Sequence, residues 1–425
     1  MKRHNGFPLV LGSILLIVSI AGCGYRAETG NGTTPYSAVT SMEGTPIVDY
    51  TVPQMSANIL VDLRGYSSWG IKHAALKGRE LPEYFRLIDA DTNQTVYQGS
   101  VSNVDYNEEQ KIYLGYADFS SYTQAGRYYL VCDIIGQSFR FEIREEYYRE
   151  LFEENEKLLT AECQKGTLSV ADAMNLLEAF EWYGTIFQDK DHDREPDVLA
   201  ALKTWVSHME AEGVEDGETA LYAAFLAKFS FNYQNYDRQY ATDCLKRAST
   251  VFGQVHNSIS KDADIFFALT ELYRATGLLT YSNQIAAYKG FFENNSSYLE
   301  EAGYLYGIMT YMATRQKVDV EMCEAFIGEL MSRAEEISVR CEDMINPVIA
   351  RNNGSVELLK RAIEVSCANY VMNIYQYTNI VEEFLHYLMG ENLESVNFYE
   401  QDTDRSAYLL LLAQLVAHGW DSPQE

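Results

Sequence analysis

Three groups of residues in this chain have the types and spacing to do chemistry. Cys23 closes the run Ile20, Ala21, Gly22, Cys23, in which small residues ahead of a thiol fit signal cleavage and lipidation of the cysteine sulfur. The stretch DKDHDREPD sets Asp189, Asp191, Asp193 and Glu195 at alternate positions, as a calcium loop would. Counted from Asp189, however, the sixth position is Arg194 where a turn glycine is wanted, and the twelfth is Ala200 where a bidentate glutamate is wanted. A solvated loop without a metal is therefore expected. The third group is aromatic. With 32 Tyr, 19 Phe and 4 Trp, the chain is rich in flat rings on which sugar faces stack. Trp182, Tyr183, Tyr304, Tyr306, Tyr370 and Tyr375 are the candidates for a carbohydrate-binding groove, with core packing as the alternative use of the same rings. The seven histidines lack the paired spacing of a metal site, and no Gly-X-Ser-X-Gly elbow or phosphate-cradling glycine loop occurs. No cofactor is implied.

The elements that must position these residues follow from texture. Lys2 and Arg3, then an apolar run from Phe7 to Ala21, then Cys23, read as a lipoprotein signal over residues 1–22. The apolar run is too short to span a bilayer comfortably. Export and an anchor on the outer face of the cell membrane are expected. Residues 23–55, rich in Gly, Thr, Ser and Pro without periodicity, read as a flexible tether. Over residues 56–145 short runs alternate apolar and polar residues, among them EYFRLID, TVYQGSV, KIYLGYADF and RYYLVCDII, with turn residues between them. That pattern predicts an antiparallel sandwich of immunoglobulin type. From Tyr147 onward only Pro196, Pro347 and Pro423 occur, and apolar residues recur at helical spacing in about twelve segments. Asp237 is expected to cap the segment that follows it. Paired helices in this number fit either an open solenoid or a closed toroid, over residues 146–420.

Charge narrows the partners. Taking Lys2 and Arg3 from the 33 basic residues leaves 31 against 61 acidic ones, which makes nucleic acid an unsuitable partner and leaves neutral polymers acceptable. Cys132, Cys163, Cys244, Cys323, Cys341 and Cys367 are too widely spaced for a zinc site or a disulfide framework, and buried thiols are expected.

Several blocks carry a family resemblance. VDLRGYSSWGIKHA (Val61 to Ala74), DFSSYTQAGRYYLVC (Asp118 to Cys132) and QSFRFEI (Gln137 to Ile143) are similar to the immunoglobulin-like module that precedes many family 9 glycoside hydrolases. LYAAFLAKFSFNYQNYDRQYATDCLKRA (Leu221 to Ala248), DADIFFALTELYRATGLLTY (Asp262 to Tyr281) and HYLMGENLESVNFYEQ (His386 to Gln401) resemble successive blocks of that family's catalytic barrel, in the same order. The resemblance implies an N-terminal immunoglobulin-like β-sandwich followed by an (α/α)6 barrel, a six-hairpin toroid. It also implies Tyr147 and Tyr148 at the joint between the two.

The same resemblance exposes what is missing. Inverting hydrolysis requires two carboxyl groups about 6.5 to 9.5 Å apart, one protonated and one ionised. The family's base lies in an Asp-Ala-Gly-Asp-Tyr segment. Here YYRELFEENEKLLTAECQKG runs straight into TLSVADAMNLLEAFEWYGTIF, with Asp172 the nearest acid and no adjoining glycine. In the block YLMGENLES, Glu391 stands where the family has arginine and Leu393 where it has proline, and the residues after Gly390 hold no counterpart of the catalytic glutamate. Catalytic residues are therefore assigned to none. The expected function is a surface lipoprotein with a cellulase-like scaffold that binds a β-glucan or a cell-surface protein without cleaving. The alternatives are a glucan hydrolase with carboxylates relocated to Asp262, Asp264, Asp402 or Asp404, and a structural component of a polysaccharide-handling system.

Overall fold

The computed structural model describes residues 38–40, 46–48, 58–108, 111–255, 259–341, 355–401 and 404–423. Cys23, Asp402 and the expected signal segment lie outside them. Within the segment read as a tether, β1 (Ala38–Thr40) and β2 (Pro46–Val48) pair as a two-stranded antiparallel ribbon. Among the described residues no helix is long and apolar enough to cross a membrane.

The sandwich is built from β3 (Ile59–Leu60), β4 (Tyr66–Ser67), β5 (His73–Gly78), β6 (Tyr84–Asp89), β7 (Thr95–Asn107), β8 (Ile112–Asp118), β9 (Gly126–Cys132), β10 (Gly136–Gln137) and β11 (Phe141–Arg144). Strands follow in space as β3-β5-β8-β7-β6-β9-β11-β4, with β10 beside β9. The long β7 serves both halves. Residues up to Ser100 pair with β6, and those from Val101 pair with β8 across a register shift between Ser102 and Asp105. That irregularity bends the strand and lets one continuous path fold over the main core. Tyr66, Phe119 and Phe141 meet edge-on or tilted at its centre, while Phe85, Leu87 and Leu130 fill it from the opposite strands. Alternation is the physical cause, because β9 buries every second residue from Tyr128 to Cys132.

The helical body follows at once, with β11 ending at Arg144 and α1 spanning Tyr147–Lys165. Its next helices are α2 (Val170–Tyr183), α3 (Asp197–Glu212), α4 (Thr219–Tyr233), α5 (Arg238–Phe252), α6 (Asp262–Thr276), α7 (Leu279–Ala287) and α8 (Lys289–Asn294). They are followed by α9 (Ala302–Ala313), α10 (Val320–Val339), α11 (Ser355–Met372), α12 (Thr378–Leu388), α13 (Phe398–Gln401) and α14 (Arg405–Ala417). Among the described residues α2, α4, α6, α9, α11 and α14 touch in that order, and α14 closes back on α2, so the ring is a closed barrel and not a solenoid. Sequence decides which helices go inside. In α4, ALYAAFLAKFSF is apolar all round, and Ala220 and Tyr222 to Ser230 are buried without a break. In α5 only Ala241, Cys244 and Ala248 are buried, a narrow stripe that suits an outer helix. Asp237 caps α5 as expected, accepting a hydrogen bond from Tyr240 N at 3.0 Å. Five of the six described cysteines are buried, Cys323 is half-buried, and no disulfide joins any two of them.

A buried polar joint fastens the sandwich to the barrel. Tyr147 donates to Asp62 (3.2 Å), and Tyr148 donates to Glu382. His386 faces Asp62 through Nδ1 at 2.8 Å and the Ile71 carbonyl through Nε2 at 3.1 Å. His73 sits between Glu391 (2.8 Å) and Glu383 (2.6 Å). Each ring meets an oxygen at both nitrogens, a setting that favours the doubly protonated ring. Burial opposes those charges, and the facing carboxylates outweigh it and raise both histidines. Glu391 is thus the partner of His73, an internal match for the acid that departs from the family block. Gly390 beside it is crowded and in a backbone conformation that L side chains rarely adopt. It holds φ +139°, and a Cβ there would lie 2.5 Å from Leu63 Cγ.

Candidate functional site

The barrel axis is occupied by charge. Glu178 and Glu181 lie one turn apart on α2, Glu271 and Arg274 one turn apart on α6, and Lys228 projects from α4. Lys228 Nζ is 2.9, 3.0 and 3.2 Å from Glu178, Glu181 and Glu271. Arg274 grips Glu181 with both terminal nitrogens (2.6 and 3.1 Å) and reaches Glu271 at 2.6 Å. Thr310 of α9 and Asn232 of α4 add hydrogen bonds to Glu271 and Glu181, at 2.6 and 2.7 Å. Lys228 and Glu178 are each 1% exposed. Burial would raise Glu181, but Lys228 and Arg274 outweigh it and hold that carboxylate below its ordinary range. Burial dominates at Glu178 and pushes it up to about 8, with Lys228 offsetting only part of the cost. With Glu178 protonated, two carboxylates match two cations. The sequence reading missed this cluster. Its signal is a lone charge inside an apolar helical run, seen in NLLEAF, FLAKFS and ALTELY.

Four of the six candidate aromatics gather beside the cluster, Trp182 and Tyr183 from the C-terminal end of α2, Tyr370 from the C-terminal end of α11 and Tyr306 from the N-terminal half of α9. Trp182 stacks on Tyr370 at 4.9 Å and 17°, and meets Tyr306 and Tyr183 edge-on at 6.0 and 6.4 Å. Tyr183 and Tyr306 are buried, so their faces are taken by protein, while Trp182 and Tyr370 are half-buried. Tyr375, 58% exposed, joins the group through His418, 4.4 Å from its ring. Tyr304 is not part of it. It lies near the start of α9 against Phe266 and Phe291, and donates to Asp262 at 2.6 Å. A further ring that the sequence reading did not single out, Phe231, is 39% exposed and lies under the Arg274 guanidinium at 4.1 Å. Its helical phase, between buried Phe229 and Tyr233, is what turns it outward.

The opposite mouth, at the N-terminal ends of the inner helices, holds a chain of hydrogen bonds. Tyr306 donates to Asn175 (2.9 Å), Asn175 to Ser406 (3.0 Å), and Ser406 to Asp172 Oδ1 (2.6 Å). Ser169, the cap of α2, donates to the other oxygen of Asp172. Asp172 therefore closes a helix start. Asp264, at the start of α6, is pushed up to about 6 by burial, opposed by Lys261 and reinforced by Glu301 and Glu218. Asp262 accepts from Tyr288 and Tyr304. Asp404 precedes α14, and its carbonyl takes the first helical bond.

In the acidic loop, oxygens of Asp189, Asp191 and Asp197 come within 4.8 Å of one another. Asp193 and Glu195 are not part of that group. Backbone amides of Asp193 and Arg194 occupy the two oxygens of Asp189, and Glu195 accepts from Tyr233 at 2.7 Å.

Residues 54–137 match the family described as the cellulase N-terminal ig-like domain. Three solved structures match most of the chain. A metagenome-derived glycoside hydrolase family 9 endoglucanase is 17% identical over 80% of this chain and 84% of its own, with a TM-score of 0.64. A Bacteroides ovatus family 9 glycoside hydrolase is 13% identical over 80% and 86%, with a TM-score of 0.63. A single mutant of the thermostable endoglucanase from Alicyclobacillus acidocaldarius is 15% identical over 80% and 84%, with a TM-score of 0.59. At these identities the likeness is one of fold, sandwich followed by (α/α)6 barrel. No curated protein matches the chain.

Proposed function

We propose that this chain, with a cellulase-type immunoglobulin-like module and the fold of the family 9 endoglucanases, is a glucan-binding scaffold that does not hydrolyse its ligand. On this reading a lipid on Cys23 holds it at the outer face of the cell membrane. The observation that carries the non-hydrolytic part is the engagement of the carboxylates nearest the barrel axis. Glu178 and Glu181 differ in protonation as an acid and base must, yet both are bound to Lys228 and Glu178 is sealed from solvent. A glycosidic oxygen cannot reach it. Asp172, the acid nearest the position of the missing base, spends both oxygens on serine hydroxyls. Binding is supported by the half-buried pair Trp182 and Tyr370 and the exposed Tyr375 and Phe231 at the other mouth.

A second reading, hydrolysis through relocated carboxylates, is favoured by one observation, the elevation of Asp264 into the range of a general acid. The two readings separate in native gels cast with cellulose derivatives, mixed-linkage glucan or xyloglucan. The scaffold reading expects retardation of the wild type, weakened by Trp182→Ala and unchanged by Asp264→Asn, with no shortening of the polymer. Equal mobility with and without every polymer would remove glucan binding from the account.

A further inference from the structure

The sandwich carries a concavity that the barrel does not touch. An open surface depression of about 620 Å³ is lined by the 79–83 turn, by Val101 and Val104 of β7, and by Tyr113 of β8. Its size is that of a small-ligand site. The β7 irregularity shapes it. Between Ser102 and Asp105 the register shifts, and Asn103 takes the left-handed conformation at φ 49°. The displaced Val104 is left 52% exposed on the depression's wall, beside Tyr113 at 38%. Bulges of this kind commonly re-aim a side chain next to a functional site. Tyr113 is held in place by its cross-strand partner Tyr106, 4.9 Å away between ring centroids.

The polar lining is solvent-exposed, at Arg79, Glu80 and Glu83. Arg64, Arg86, Arg127 and Arg144 each hold a carboxylate. Arg79 lines the same depression as Glu80 and Glu83, and none of the three side chains forms an ion pair or hydrogen bond among the described residues. Donor and acceptors thus border one open depression with solvent as their partner, next to Leu81, Pro82, Val101 and the Tyr113 ring. One cation beside two carboxylates, in a chain of net charge −28, disfavours an anionic ligand. A neutral molecule with many hydroxyls matches every part. Its hydroxyls serve both Arg79 and the glutamates, and its C–H face lies on Tyr113.

We propose that this depression is a second carbohydrate site, on the sandwich, that takes two or three units of a neutral glycan chain. It stands on different residues from the barrel mouth and does not depend on binding there. The test is calorimetric titration of the full-length protein with cellohexaose and with a xyloglucan heptasaccharide. Two sites per chain are expected in the wild type and one in Tyr113→Ala or Arg79→Met, with melting temperatures unchanged. Affinity at the sandwich site should fall about tenfold or more for either variant, the scale of one lost stacking or charged hydrogen-bond contact. Tyr113→Phe should keep it. Loss of a site in Trp182→Ala but in neither sandwich variant would overturn this inference and leave the barrel reading intact. Loss in the sandwich variants alone would do the reverse. Absence of any binding by the wild type at millimolar oligosaccharide would overturn both.

Discussion

Replacing Lys228 with methionine removes from the barrel axis the ammonium that three acidic side chains share. The ammonium lies 2.9 to 3.2 Å from each of them and its side chain is 1% exposed, so water cannot take its place. Arg274 would remain as the cation beside Glu181 and Glu271, with Asn232 and Thr310 as their neutral donors. A buried charge deprived of its partner costs about 3–5 kcal/mol, a large share of the roughly 5–15 kcal/mol by which a domain is stable. Glu178→Gln is the informative contrast. Burial keeps a proton on Glu178 up to about pH 8, so an amide of the same shape removes little charge and should cost about 1 kcal/mol or less near pH 4.5, where the unfolded glutamate is protonated too, and progressively less as pH rises. The sign of the pH dependence follows. Between the ordinary carboxylate value of 4.5 and about 8 the native state binds the extra proton, so stability is complete below that window and declines as pH rises through it. The slope is at most about 1.4 kcal/mol per pH unit. Urea midpoints across that window should slope for the wild type, flatten for Glu178→Gln, and sit far lower throughout for Lys228→Met. A Lys228→Met protein within about 1 kcal/mol of wild type, or a Glu178→Gln protein with the wild-type slope, would refute the charge assignment.

Other consequences are simpler to check. The contribution of His73, raised by Glu391 and Glu383 against the cost of burial, should be fully present below about pH 6.5 and be lost as pH rises through its folded value; His73→Gln should remove that alkaline decline, and an unchanged urea profile would count against it. Gly390→Ala forces a Cβ to within 2.5 Å of Leu63 at φ +139° and should cost about 2 kcal/mol or more, seen as a lowered thermal midpoint; a wild-type midpoint would show that the joint yields. Cys23→Ser should shift the protein from the membrane fraction to the soluble one or leave its signal uncleaved, and a wild-type protein found wholly soluble with a free N-terminus would contradict the anchor.

What the sequence disclosed tracks which forces are local. Alternation in RYYLVC and the cap at Asp237 are set by neighbouring residues, and both appear in the structure as read. Strand β7 was legible only as far as Val101, because the polar stretch SNVDYN resembles a turn and the register shift after Ser102 breaks the period. Closure of the helical ring was invisible to periodicity. It depends on α14 meeting α2, more than two hundred residues apart, and only the family resemblance supplied it. The charged axis was hidden for the same reason, since Glu178, Lys228 and Glu271 become neighbours only once the ring exists. The aromatic candidates divided by helix position. Trp182 and Tyr370 lie at the C-terminal ends of α2 and α11, whereas Tyr304 lies in the first turn of α9 and so at the other mouth.

The central claim is that the cellulase fold here binds without cleaving, and its most direct test is reducing-end release by the purified protein on cellulose, mixed-linkage glucan and xyloglucan. Loss of a general acid or a general base each costs about 10² to 10⁴ in rate, and with Glu178 and Glu181 tied to Lys228 neither role is filled. The account predicts no release above the no-protein control at any pH from acid to neutral. Turnover above roughly 1 s⁻¹, abolished by Asp264→Asn or Asp172→Asn, would contradict it.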